Sequence, residues 1–223
     1  MEHTVVVASR NGLAEVCPDS FQVMGLIAGP HDSFEAAPPN DLGVHPSGQV
    51  VISTADSRES SPTGGLFGLW DREIHYLDGG YVVGNGPAFS PDGSTIYVAD
   101  SPRGVIYAYD FDLRGLSVAN RRVFASVPSS CGFPDGLATD AEGGVWSARW
   151  GGACVVRYTP DGREDFRLVV PAQLVTSCAF GGEDLKTLYI TTAQLESTDG
   201  DLGGHLFCAE AEVKGILPGL GRI

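Results

Sequence analysis

The chain has 223 residues, 43% of them hydrophobic, enough to bury a sizeable core as one domain over residues 1–223. Its formal net charge of −14 argues against nucleic acid and anionic membrane surfaces as partners and otherwise serves solubility. The 30 glycines and 14 prolines suit many tight turns, no window holds a helical apolar stripe beyond two turns, and no apolar run approaches a membrane span.

In chain order, Val5–Ala8, Asn11-Gly12 and Leu13–Cys17 read as a hairpin with a tight Asn-Gly turn. No channel-facing strand precedes it, so the chain is expected to start inside a blade. Residues 25–38 read as a connection. Asn40 then opens a unit that continues through Val50–Ser53, Gly65–Trp70 and Glu73–Tyr76, with the polar insertion Asp56–Thr63 expected at a channel mouth. Asn85 opens the next, with strands at Thr95–Ala99, Val105–Asp110 and Arg121–Val127. Asp135 opens a third, with Val145–Ala148, Ala153–Tyr158 and Phe166–Val170. Ser177 opens a fourth, with Thr187–Thr191 and Gly203–Ala209.

The four openers lie 45, 50 and 42 residues apart. A period in that range with strand–turn–strand content signals a β-propeller. The first strand of each blade lines the central channel, so equivalent repeat positions converge on one axis. Asn40, Asn85, Asp135 and Ser177 thus form a candidate ring of oxygen donors, the chemistry a hard cation needs. Ser177 is the weakest member and reads better as a buried, satisfied hydroxyl. Pro-Asp-Gly recurs at 91–93, 134–136 and 160–162. The first and last are plain turns, whereas Asp135 in the middle one aligns with Asn85 and reads as a channel-facing ligand. A carboxylate beside a cation stays ionised and can serve as a base.

Other chemistries find little support. The five histidines form no HExxH or paired zinc spacing, there is no GxSxG elbow, and Gly79-Gly80 and Gly151-Gly152 open no helix that could cradle phosphate. Trp150 is a core or rim aromatic with some claim to line a pocket. No residue is assigned as a substrate gate; Glu59 in loop 56–63 is the candidate. The cysteines at 17, 131, 154, 178 and 208 are odd in number and form no CxxC pair, and the first ten residues lack a secretory pattern. Both observations fit a reduced, cytoplasmic protein with buried thiols.

The runs Asn85–Ser101, Pro134–Trp146, Gly151–Tyr158 and Thr176–Gly182 together resemble the SMP-30/gluconolactonase family, which includes regucalcin. The resemblance implies an all-β, six-bladed propeller, incomplete here at about five blades, with one divalent cation in the channel and hydrolysis of sugar lactones or related esters with Ca²⁺, Zn²⁺, Mn²⁺ or Mg²⁺. It implies that Asn85 and Asp135 are metal ligands, that Asp135 is also the base, and that Asn40 contacts substrate. Two departures stand out. The arginine of the family's Arg-x-Asn-Asp motif is Pro38 here, and the N-terminal Glu-Gly-Pro segment, whose glutamate is a further ligand, is absent. The expected site therefore carries one formal charge instead of two. An upstream start, a five-bladed or open ring, or a second chain covering the open blade edge as a homo-oligomer would each account for the difference. The competing reading is a degenerate propeller that binds a cation, small ligand or protein partner without turnover.

Overall fold

A computed structural model describes residues 4–9, 11–28, 34, 37–195, 202–217 and 219–221. Their regular structure is β-strand apart from one short 3-10 turn at Ser129–Cys131. β1 (Val5–Ser9) and β2 (Gly12–Val16) form the expected hairpin, Ser9 facing Gly12 in register. Gly12 sits at φ +106°, which a side chain would resist. β3 (Val23–Ala28) completes a three-stranded sheet and corrects the sequence reading, which placed 25–38 in a connection. It pairs with β2 through two register shifts, and these, with Gly25 inside the strand, hide the alternation that marks a strand. Residues 29–33 and 35–36 of that connection lie outside the described residues.

Four antiparallel units follow in sequence order. β4 (Pro39–Val44), β5 (Val50–Thr54), β6 (Gly64–Trp70) and β7 (Glu73–Tyr81) form one sheet; β8 (Gly84–Phe89), β9 (Thr95–Asp100), β10 (Val105–Asp112) and β11 (Ser117–Ser126) form the next. β12 (Phe133–Thr139), β13 (Val145–Trp150), β14 (Cys154–Tyr158) and β15 (Glu164–Val169) make the fourth unit, and β16 (Leu174–Gly181), β17 (Thr187–Ala193) and β18 (Leu206–Glu210) the fifth. The last two are joined where Trp150 meets Leu174.

The core lies between successive sheets, as a propeller requires. Leu13, Val50, Ile52 and Leu69 fill the first interface. Val51, Leu66, Ile96, Val98 and Phe111 fill the second, Tyr97, Ile106, Val145 and Val156 the third, and Trp146, Val155, Leu188 and Ile190 the fourth. Each large apolar side chain buried there contributes about 1.5–3 kcal/mol. This stacking brings β4 against β8, β8 against β12 and β12 against β16. The chain is an all-β propeller of five strand units in four sheets, the last two units sharing one sheet, and these four innermost strands carry its repeat openers.

Candidate active site

Each of the four inner strands breaks register near its opening end. In β4 the shift falls between Pro39 and Asp41, freeing Asn40 from the ladder. In β8 it falls between Asn85 and Ala88, where Gly86 takes φ +54° and Pro87 has no N–H to give. In β12 it frees Asp135 and Gly136. In β16 it frees Thr176. A bulge re-aims a side chain off the pleat, and these four aim at one place. Asn40, Asn85, Asp135 and Thr176 all line a cavity of about 660 Å³, together with Asp41, Glu59, Ser101, Trp150 and Ser177. The strands approach closely enough that a Cβ on Gly136 would lie 2.2 Å from Ser177 Oγ, and one on Gly86 would lie 2.4 Å from the Leu137 amide nitrogen.

A polar relay fixes the cavity wall. Asn40 Nδ2 donates to Asn85 Oδ1 at 2.7 Å and to the Gly84 carbonyl at 3.0 Å. Asn85 Nδ2 donates to Ser101 Oγ at 2.8 Å, and Ser101 donates in turn to the Pro134 carbonyl at 2.7 Å, directly before Asp135. Asn85 is buried and held at both ends of its amide, whereas Asn40 is exposed at the rim.

The cavity is acidic. Its lining among the described residues includes Asp41, Glu59 and Asp135 and no lysine, arginine or histidine. Removal from water pushes the Asp135 carboxyl up to about 8, with the negative charge of Asp41, and more weakly Glu59, adding to the rise. A carboxylate in that setting is poised to accept a cation. The donors offered by Asp135 and Asn85 are oxygens only, as a hard divalent ion prefers. They fit such an ion without enclosing it: no group of three or more His, Cys, Asp or Glu side chains is placed to hold a metal among the described residues.

The polar loop after β5 does reach the mouth. Asp56 accepts from the amides of Ser60 and Ser61 and from the Thr63 hydroxyl, and the Ser60 amide first, then Thr63, pull its carboxyl down to about 2. Glu59, within this ordered turn, takes φ +53° and lines the cavity.

A family model for the SMP-30/gluconolactonase/LRE-like region matches residues 1–194. The chain belongs to this family. It is 36% identical over 186 residues to the pentonolactonase XacC of Haloferax volcanii, a match covering 79% of this chain and 63% of that one. It is 33% identical over 224 residues to a putative sugar lactone lactonase, YvrE, of Bacillus subtilis, covering 94% and 77%. Among solved structures, regucalcin of Agrobacterium tumefaciens, described as a calcium-binding protein, superposes with a TM-score of 0.90 at 30% identity over 100% of this chain and 77% of that one. The chain thus spans less than two thirds of the length of the Haloferax relative.

Asn40, Asn85 and Asp135 are brought together as the repeat spacing predicts. Trp150 lines the cavity as well. The fourth strand differs by one residue: its bulge is at Thr176 rather than Ser177, because Val175 still pairs with Thr192 and Ser177 with Thr191. Two residues were missed. Ser101 follows β9 with no motif of its own, and only the fold brings it beneath Asn85. Asp41 ends the Arg-x-Asn-Asp pattern beside Asn40, but that pattern assigns its carboxylate no partner, and the Gly86 amide it meets lies 45 residues away. The thiols are free, with Cys154 and Cys178 buried and Cys208 exposed, so burial holds for only part of the set. No helix among the described residues is long and apolar enough to cross a membrane.

Proposed function

We propose that this protein is a divalent-cation-dependent hydrolase of sugar lactones or related esters, acting in the cytoplasm. The observation that carries the reading is the acidic, oxygen-lined cavity in which Asp135, Asn85 and Asn40 meet with no basic side chain to neutralise them. The lactonase names of its relatives support the same substrate class, and the calcium-binding description of its structural neighbour supports Ca²⁺ over Zn²⁺, Mn²⁺ or Mg²⁺.

Asp135 and Asn85 would hold the ion through one carboxylate and one amide oxygen. A divalent cation, when bound, polarises an ester carbonyl and makes water easier to deprotonate. Asp135, which would be ionised at neutral pH beside such a cation, would take the proton from the attacking water. Water oxygen bonds to the carbonyl carbon, the ring C–O bond breaks, and the proton passes to the leaving oxygen, giving the open hydroxy acid. Asn40, exposed at the rim with its amide oriented by Asn85 and Gly84, positions substrate hydroxyls. Trp150 and Glu59 flank the entrance.

Pro38 favours a second reading, cation or ligand binding without turnover, since it leaves the rim without the guanidinium that would grip lactone oxygens. One experiment separates the two. The purified protein is stripped of metal and assayed on gluconolactone and a panel of aldonolactones with each cation restored, beside Asp135→Ala. Cation-restored turnover that the substitution abolishes is the expected result. Full turnover in Asp135→Ala overturns the assignment, and binding of Ca²⁺ with no hydrolysis favours the second reading.

A further inference from the structure

Asp41 has no place in the chemistry above, yet both of its carboxylate oxygens are tied into the site. Its Oδ1 accepts from the Leu42 amide at 2.8 Å, a local bond within its own strand. Its Oδ2 accepts from the Gly86 amide at 2.7 Å, across 45 residues of sequence and from one sheet to the next. β4 and β8 belong to different sheets and share no backbone ladder. What joins their opening ends is a pair of successive polar rungs: Asn40 to Asn85, then Asp41 to Gly86. The Gly86 amide is available because the β8 bulge takes it out of the β8–β9 ladder. The positive φ of Gly86 sets the direction of that N–H, and so the turn that presents Asn85.

The second observation is electrostatic. Asp41 lines the same cavity as Asp135, forms no ion pair among the described residues, and is half-buried. Two carboxylates held near each other without a basic partner repel and are costly to keep charged. That cost falls when a cation binds at Asp135, with Asp41 close enough to add its charge. The departure seen in the sequence, one formal ligand charge where the family pattern has two, is met by a neighbouring carboxylate that does not itself ligate.

We propose that Asp41 is the positioning residue of the cation site: it staples the β4 and β8 bulges so that Asn40 and Asn85 face the cavity, and it supplies the second negative charge from behind the ligands. The inference rests on the cation-dependent reading given above. Partners of this kind change metal affinity by roughly 10–100-fold when removed.

Asp41→Asn keeps the shape and one acceptor oxygen but loses the charge, and Asp41→Ala loses both. Four readouts on each variant and the unaltered protein separate the roles: thermal unfolding, Ca²⁺ affinity by calorimetry, hydrogen exchange at the Gly86 amide, and kcat on gluconolactone at saturating Ca²⁺. Asp41→Asn is expected to unfold cooperatively, to bind Ca²⁺ about 10–100-fold more weakly, and to recover kcat on gluconolactone at saturating Ca²⁺. Asp41→Ala is expected to lose protection at Gly86 and to stay slow even when saturated, because the Asn40–Asn85 geometry has relaxed. Unchanged Ca²⁺ affinity in Asp41→Asn overturns the charge role. Unchanged Gly86 exchange in Asp41→Ala overturns the staple. If the unaltered protein takes up no cation, the cation reading fails and the charge role with it, while Gly86 exchange still decides the staple.

Discussion

The same four strands line two cavities, and the two ends differ in chemistry and in regularity. At the opening end each strand is bulged and presents Asn40, Asn85, Asp135 or Thr176. Farther along, β4 pairs residue for residue with β5, and β16 with β17, and the strands line a smaller cavity of about 300 Å³ with Leu42, Val44, Ala88, Leu137 and Phe180, floored by Ile216. Each end also carries a buried titratable group pushed toward its neutral form. Burial raises Asp135 at the upper end. Burial lowers His45, just past the end of β4, where Nδ1 accepts from the Ser47 amide, Nε2 faces the Gly93 carbonyl and the ring packs edge-on against Phe89. The lower end is mostly apolar, with the Gln49 side-chain oxygen buried and, among the described residues, unpaired in the turn beside His45. The upper end keeps three acidic side chains, Asp41, Glu59 and Asp135, with no basic residue in the described lining, a concentration of charge that stability alone would not favour.

The largest effect that would sharpen this contrast is at Asp135. Asp135→Asn should lower cation-restored turnover by about 10²–10⁴-fold, the range lost with a general base. It should also raise the melting temperature of metal-stripped protein at pH 8–9, because a desolvated carboxylate is gone. Activity and stability moving in opposite directions would mark the upper end as functional; a fall in both would erase the distinction. Leu137→Ala tests the other end. It should cost about 2–4 kcal/mol in unfolding free energy, read from denaturant midpoints, and leave kcat at saturating cation within about 3-fold, a small change on the transition-state scale.

The two titratable groups give the contrast a pH signature. Asp135 has a folded pKa of about 8, above the ordinary carboxylate value. Its contribution is fully present below about pH 4 and is lost as pH rises through about 8. His45 has a folded pKa below the ordinary imidazole value. Its contribution is present above about pH 6.5 and is lost as pH falls through the depressed value. Thermal melts of metal-stripped protein should therefore lose several degrees on the alkaline side through Asp135 and on the acid side through His45. Added Ca²⁺ should cancel the alkaline loss and leave the acid one. Equal Ca²⁺ protection on both sides would contradict the separation of the two ends.

Much of this was readable from the chain because the repeat is strict where it matters. Openers 42 to 50 residues apart fix which strands face the axis, and that placed Asn40, Asn85 and Asp135 in one cavity with no contact information. What escaped were features that exist only between repeats. The Asp41–Gly86 bond crosses two sheets, and Ser101 becomes a partner of Asn85 because β9 ends beneath it. The offset from Ser177 to Thr176 depends on ladder register, which composition does not encode. β3 was lost for the opposite reason: its pairing is irregular, so its pattern falls below what alternation detects.

Glycines give the finest test of the same contrast. Gly86 and Gly151 both hold positive φ, +54° and +76°, so alanine at either meets the left-handed penalty of about 1–2 kcal/mol. They differ in surroundings. A Cβ on Gly86 would strike the Leu137 amide at 2.4 Å and its Cγ at 2.7 Å, whereas a Cβ on Gly151 would meet nothing within 4 Å. Gly86→Ala should therefore exceed the backbone penalty, push β8 from β12 and weaken Ca²⁺ binding. Gly151→Ala, in the β13–β14 turn beside Trp150, should cost about 1 kcal/mol and leave Ca²⁺ affinity unchanged by calorimetry. If the two substitutions matched in both readouts, the close approach of the inner strands would have no part in setting the cation site, and the bulges alone would have to account for it.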